Sequence, residues 1–453
     1  MVPQRTRPSQ GHRPTPLAII LAMIGVATLA GIAFHMWLNT PLVSVSRPVV
    51  LDPAGETPTT TPPVREGDVL SEEDGTKTPA PPVATTTMAP LTPVKKPDVP
   101  KDDVPDVPKV TEKPPVTLRS GVGLSVGETL SVLSEEELRR RLDDMVSLGV
   151  AWIRVDIAWS SVQPENNGAY RWAPTDRVVR EARARGIRVL GLLTYTPEWA
   201  RAESCAYTKM CEPADPAAFA RFARAAAERY AAQGVSAWEV WNEPNLKLFW
   251  AAGASPERYA VLLRRTAEEI RAAVPSAVII SGGLAAVATR NGSMAAREYL
   301  ERLYDAGARA SFDAVAYHPY SYPLAPHVYD ASSPWSHMAE TEWSILGIMR
   351  ANGDGAKKIW ITEYGAPTGG PGLAAHTSTH GLPTAPTHVT EEYQAIILRE
   401  AFEENNSYGF TGPLFWYSYR DLGASNDTVE YHFGLIRADG TQKPAYDALR
   451  NTR

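Results

Sequence analysis

From about residue 119 onward the chain repeats one pattern: a short apolar run followed by a longer amphipathic stretch, eight times over. A short, continuously apolar run fits a strand covered on both faces, and helices with one apolar stripe supply that cover. Repetition of the unit therefore predicts parallel strands joined by crossover helices. The runs are Val122–Gly127, Val150–Asp156, Ile187–Thr194, Ala237–Trp241, Val278–Gly282, Ala314–His318, Ile359–Thr362 and Pro413–Tyr417. The punctuation between them agrees. Ser134-Glu135-Glu136-Glu137 is a capping box opening a helix that Gly149 closes, an alanine-rich helix ends near Ala232, and Pro256 and Pro444 suit first helical turns. Eight such units in residues 119–453 fit an α/β fold of the (β/α)8 TIM-barrel type better than an open doubly wound sheet. No Gly-x-Gly-x-x-Gly follows the first run, which argues further against a dinucleotide-binding sheet.

The residues before the barrel are of other kinds. Residues 1–16 are polar and basic, with Arg5, Arg7 and Arg13, and Leu17–Leu38 is almost wholly apolar apart from His35. That length suits a bilayer span, and the basic flank puts residues 1–16 in the cytoplasm and the rest outside. The expectation is a transmembrane signal anchor at residues 17–38, single-pass in the cell membrane with an extracellular catalytic domain. Cleavage near Gly31-Ile32-Ala33, which would release a secreted protein, is the alternative. Residues 39–118 read as a Pro/Thr-rich disordered linker: 17 of the 39 prolines fall between residues 41 and 118, and Asp98-Val99-Pro100 is echoed at Asp103–Pro105 and Asp106–Pro108. Such a segment buries too little apolar surface to offset its ordering entropy and favours an extended polyproline path, on the order of 200 Å when stretched.

A formal net charge of −6 gives no basic footprint for nucleic acid. Cys205 and Cys211 enclose five residues; outside the cytoplasm a loop-stiffening disulfide is expected, and no nearby histidine makes them a metal pair.

In a barrel of this kind the chemistry sits just beyond the C-terminal ends of the strands. The second run delivers Arg154 and Asp156 there, the fourth Asn242 and Glu243, the sixth His318 and Tyr320, the seventh Glu363 and the eighth Trp416. Two glutamates 120 residues apart in sequence thus converge on one mouth, which is what a two-carboxylate glycosidase needs. Trp199, with Tyr195, Trp250 and Trp335, is a loop aromatic whose flat face could cover a sugar ring in a further subsite. The long segment Ala366–Val389 carries His376, His380 and His388 but no carboxylate, so it is read as a cleft-shaping loop rather than a metal site.

Trp241-Asn242-Glu243-Pro244-Asn245 and Ile361-Thr362-Glu363-Tyr364-Gly365 resemble the motifs of clan A of the glycoside hydrolases, most closely family thirty-nine and related bacterial exopolysaccharide hydrolases. The resemblance covers residues 119–453. It implies retaining hydrolysis with Glu243 as general acid/base and Glu363 as nucleophile, and no metal or organic cofactor. Arg154 with His318 or Tyr320 would keep Glu363 ionised. Burial against Trp241 beside an anion would raise the Glu243 pKa. Asn242 would bond the sugar 2-OH and Trp416 would floor the −1 subsite. Plainer roles stand beside these: Arg154 as partner of Asp156 or Glu239, His318 as a core histidine, Tyr320 and Trp416 as packing. Glu239, two residues before Trp241 and four before Glu243, should point with them and sit deeper as a structural charge.

The expected function is retaining hydrolysis of an extracellular polysaccharide or cell-envelope glycan, with a poly- or oligosaccharide and the membrane as partners. A catalytically silent glycan-binding barrel, or a transglycosylase using the same residues, is the rival.

Overall fold

Strand after strand, the apolar runs pair in parallel and close on themselves. In this computed structural model, which describes residues 121–378 and 386–452, the strands are β1 (Val122–Gly127), β2 (Val150–Ala158), β3 (Arg188–Thr194), β4 (Ala237–Asn242), β5 (Val278–Ala285), β6 (Ala314–His318), β7 (Lys358–Tyr364) and β8 (Thr411–Tyr417). Their order is β1-β8-β7-β6-β5-β4-β3-β2, a closed barrel with β1 bonded to both β2 and β8. The sequence-predicted barrel is therefore present, with β2, β5 and β7 longer than their apolar runs. The expected anchor at Leu17–Leu38 and linker at 39–118 lie outside the described residues. Among those described, no helix is long and apolar enough to cross a membrane.

Period-two alternation sends every second strand residue to the axis. At the floor, Trp152, Leu190, Ala237, Ile280, Ala314, Ala316 and Phe415 form an interior cluster that Trp360 joins. Trp152 meets Trp360 and Phe415 edge-on at 5.7 and 6.3 Å, and the Arg188 guanidinium covers it from below at 4.2 Å. One step higher along the same strands, the inward positions turn polar.

The helices begin where the chain supplies caps. Ser134 accepts from the Glu137 N–H at α1 (Glu135–Ser147). Asp215 and Ser255, each followed by proline, cap two longer helices, Pro216–Ala231 and Pro256–Ala273. The long segment after β7 forms a two-residue parallel pairing of Ala374–Ala375 with His388–Val389. His380 of that segment lies outside the described residues.

Candidate active site

Arg154 is the centre of the polar layer. It follows Trp152 on the inward face of β2 and is 1% exposed. A guanidinium so far from water is tolerable only with its donors filled. Its Nε donates to Glu239 Oε2 at 2.6 Å. One terminal nitrogen donates to Glu239 Oε1 at 3.0 Å and Asn242 Oδ1 at 2.8 Å, and the other reaches Glu363 Oε1 and Ser125 Oγ. Four strands are tied by one side chain. Arg154 is thus the partner of Glu239 and also of Glu363.

At the end of β4 the alternation breaks. Trp241 and Glu243 adopt left-handed backbones, with φ of 71° and 43°. Such conformations cost on the order of 1–3 kcal/mol each in a residue with a Cβ and persist only where the surroundings enforce them. Here the Glu243 N–H is held by the Gly283 carbonyl at 3.0 Å. Asn245 bolts the next turn to β5 by accepting from the Ala285 N–H and donating to the Ala285 and Met294 carbonyls, each at 2.8 Å. The consequence corrects the expected common direction of Glu239, Trp241 and Glu243. Trp241 turns outward among Tyr195, Phe219 and Trp250, donating its N–H to the Phe249 carbonyl. Asn242 and Glu243 both reach the mouth.

From β6, His318 places Nδ1 2.9 Å from Glu243 Oε1 and Nε2 2.9 Å from Thr362 Oγ1. It is fully buried and also touches the acid, so it is both a satisfied core histidine and part of the site. It fits only because residue 283 is glycine: a Cβ there would sit 2.0 Å from His318 Nε2. Tyr320 donates its hydroxyl to Glu363 Oε2 at 3.0 Å. A carboxylate oxygen of Glu243 and one of Glu363 lie within 4.8 Å of each other.

The two carboxyls are pushed apart in acidity. Burial raises Glu243, and the neighbouring Glu363 charge adds to this against the pull that a protonated His318 exerts. Burial also acts on Glu363, but His318 when protonated, the Arg154 charge and the bonds from Tyr320 and Arg154 outweigh it and hold its pKa below the usual value. The two shifts run in opposite directions. Glu243, His318 and Glu363 also form the one group among the described residues whose spacing could hold a metal ion. The Arg154 charge on Glu363 and the engagement of both imidazole nitrogens oppose a cation there.

Trp416 is not at the mouth. It is fully buried, meets Tyr364 edge-on at 6.0 Å, and belongs to the layer between sheet and helices. Phe415 faces the axis, so by period two Tyr417 does as well; it stands in register with Ser125 and packs on Phe433 at 5.4 Å. The mouth position expected of Trp416 is thus held by Tyr417, which the alternation from an inward Phe415 would have given. Trp416→Ala is expected to cost about 3–5 kcal/mol of stability in denaturant titration. Tyr417→Ala is expected to act on kcat/KM instead, by about tenfold or more. Equal effects of the two on kcat/KM at unchanged stability would contradict this assignment.

Trp199 is half-buried, edge-on to Trp159 at 5.2 Å, with its N–H spent on the Gln163 carbonyl. Trp250 and Trp335 are buried in the core and line no subsite. Cys205 and Cys211 are joined as a disulfide. Two further carboxyls reach the site. Burial lifts Asp156 to about 7 against the pull of Arg154, and burial together with the Glu243 and Glu363 charges lifts Glu430 to about 7. Glu430 lies in the loop after β8, where no spacing in the sequence marks it.

The family description "Cellulase (glycosyl hydrolase family 5)" matches residues 126–385, more than half of the chain. The chain belongs to glycosyl hydrolase family 5. That family lies in clan A, the clan that the chain's two glutamate motifs resemble. Solved structures of both family 5 and family 39 share the fold. A family 39 glycoside hydrolase from the gut symbiont Bacteroides cellulosilyticus WH2 is 21% identical over 73% of this chain and 62% of its own, with a TM-score of 0.55. The monomeric β-xylosidase of Caulobacter crescentus CB15 is 22% identical over 74% and 69%, TM-score 0.52. The GH5_18 protein of Streptomyces cattleya, in complex with GlcNAc, is 18% identical over 74% and 80%, TM-score 0.53. At these identities the likeness is one of fold, and the chain spans 62% of the length of the first. No curated protein matches the chain.

Proposed function

We propose that this family 5 chain is a retaining glycosidase that acts by double displacement on an extracellular polysaccharide or cell-envelope glycan. The observation that carries the reading is the closeness of the Glu243 and Glu363 carboxylates, within 4.8 Å oxygen to oxygen. Retaining enzymes hold the pair about 5–5.5 Å apart, whereas inverting enzymes leave about 6.5–9.5 Å for a water. Glu363, ionised beside Arg154 and Tyr320, attacks the anomeric carbon while Glu243 protonates the leaving oxygen. With Glu363 glycosylated, Glu243 takes a proton from water, and the second displacement restores the configuration. Asn242, its Oδ1 held by Arg154, presents its NH2 to the sugar 2-OH, and Tyr417 floors the ring.

Substrate class follows from charge. Asp156 and Glu430, each lifted to about 7, offer carboxyl oxygens to sugar hydroxyls, and above that pH their charge disfavours a uronate-rich glycan. The apolar segment Leu17–Leu38 and the Pro-rich stretch after it support a membrane-tethered enzyme reaching an external polymer. The test is the anomer released first, followed by proton NMR during the opening minutes of hydrolysis. Net retention is expected; an inverted first product would sink the mechanism.

A further inference from the structure

Glu239 touches neither the mouth nor any sugar position, and it is fully buried. It accepts from Arg154 Nε and a terminal Arg154 nitrogen, from the Gly283 N–H at 2.9 Å and from Thr362 Oγ1 at 3.1 Å. With every neighbour donating to it, Glu239 fixes the Thr362 hydroxyl proton toward itself. A hydroxyl so committed offers only lone pairs to His318 Nε2, 2.9 Å away. The neutral imidazole must then carry its proton on Nε2, and Nδ1 faces Glu243 with a lone pair. The bond between Nδ1 and Glu243 Oε1 is made only if the carboxyl supplies the proton.

We propose that Glu239 is a positioning residue that keeps Glu243 protonated, acting through Thr362 and the tautomer of His318. The proposal rests on Glu243 being the acid/base of the preceding section. When Glu243 gives its proton to the leaving oxygen, its carboxylate faces the Nδ1 lone pair, and this repulsion strengthens it as the base that next takes a proton from water. The proton thus returns to Glu243. The other groups acting on Glu243 are Glu363 from β7, Arg154 from β2 and Glu430 from the β8 loop; Glu363 Oε2, 3.8 Å from His318 Nδ1, favours a proton on that nitrogen and opposes the Thr362 bond in setting the tautomer.

The test is nitrogen NMR of imidazole-labelled full-length protein, with the His318 signals assigned by their loss in His318→Ala, alongside pH–rate profiles. In the parent, His318 is expected to be the Nε2–H tautomer. In Thr362→Val, which keeps the Arg154–Glu239 pair, the tautomer should switch to Nδ1–H. The alkaline limb of kcat/KM should then fall by about one pH unit, because Nδ1–H now stabilises ionised Glu243. Thr362→Ser should restore both. Glu239→Gln should repeat the switch. A parent spectrum with the proton on Nδ1, or an unchanged tautomer and limb in Thr362→Val, overturns the proposal. The spectra decide it whether or not the protein hydrolyses a chosen glycan, so its failure is separable from failure of the proposed activity.

Discussion

Glu363→Ala is expected to abolish turnover, lowering kcat by about four orders of magnitude or more, since in the proposed double displacement it removes the nucleophile. Glu243→Gln should lower kcat on a polysaccharide by about 10²–10⁴-fold and should spare an aryl glycoside whose leaving group needs no proton. The pH profile gives the two variants different signatures. Activity requires Glu363 ionised and Glu243 protonated. With Glu363 held below the usual value, the acid limb lies at low pH; with Glu243 raised, activity persists above the range in which an ordinary glutamate has already ionised, then falls as pH rises through that raised value. Glu243→Gln should erase the alkaline limb. Hydrolysis that survives Glu363→Ala at the parent rate would remove the nucleophile from the scheme.

Arg154→Met should be the most destabilising single change near the site. It strands Glu239 and Glu363, which lean on the same guanidinium. Breaking a buried pair from one side costs about 3–5 kcal/mol, and a loss of that size lowers the apparent Tm of a domain this large by about 4–7 °C. The sign of its pH dependence is fixed. In the parent, depressed Glu363 contributes stability that is present above its unfolded value and lost as pH falls through its folded value. Removing Arg154 removes that contribution, so the gap between parent and variant should narrow as pH falls and the stranded carboxylates protonate. Adding Glu239→Leu should recover part of the loss, and a double-mutant cycle in denaturant titration measures how much. A gap constant from pH 7 to pH 4 would mean that packing, not charge, accounts for the cost.

The barrel was legible because each strand is an apolar run bounded by turn chemistry, and the strand ends were legible because polar residues follow those runs. Arg154, Asn242, Glu243, His318, Tyr320 and Glu363 do meet at one mouth. Trp416 did not, for a reason of parity: a one-residue step along β8 exchanges the axis for the helix layer, and only the inward Phe415 tells which is which. The direction of Trp241 was hidden by two left-handed residues that suspend the alternation at the very place the motif occupies. Glu239 and Thr362 read as strand interior, and their part in the proton network needs the third dimension. Glu430 comes from an irregular loop, where no period operates.

The seam between β1 and β8 brings Ser125 into register with Tyr417 and with Arg154, while Arg154 reaches Glu363 across 209 residues of sequence. The bonds in this site join separate βα units, from Arg154–Ser125 between neighbours to Arg154–Glu363 across the barrel, so the full set exists only when β1, β2, β4, β6 and β7 are together. Pairings of such long range are the costly part of folding, where loop entropy is spent before contacts repay it. The complete site is therefore assembled only once those strands have met. Catalytic competence arrives in one step, with ring closure.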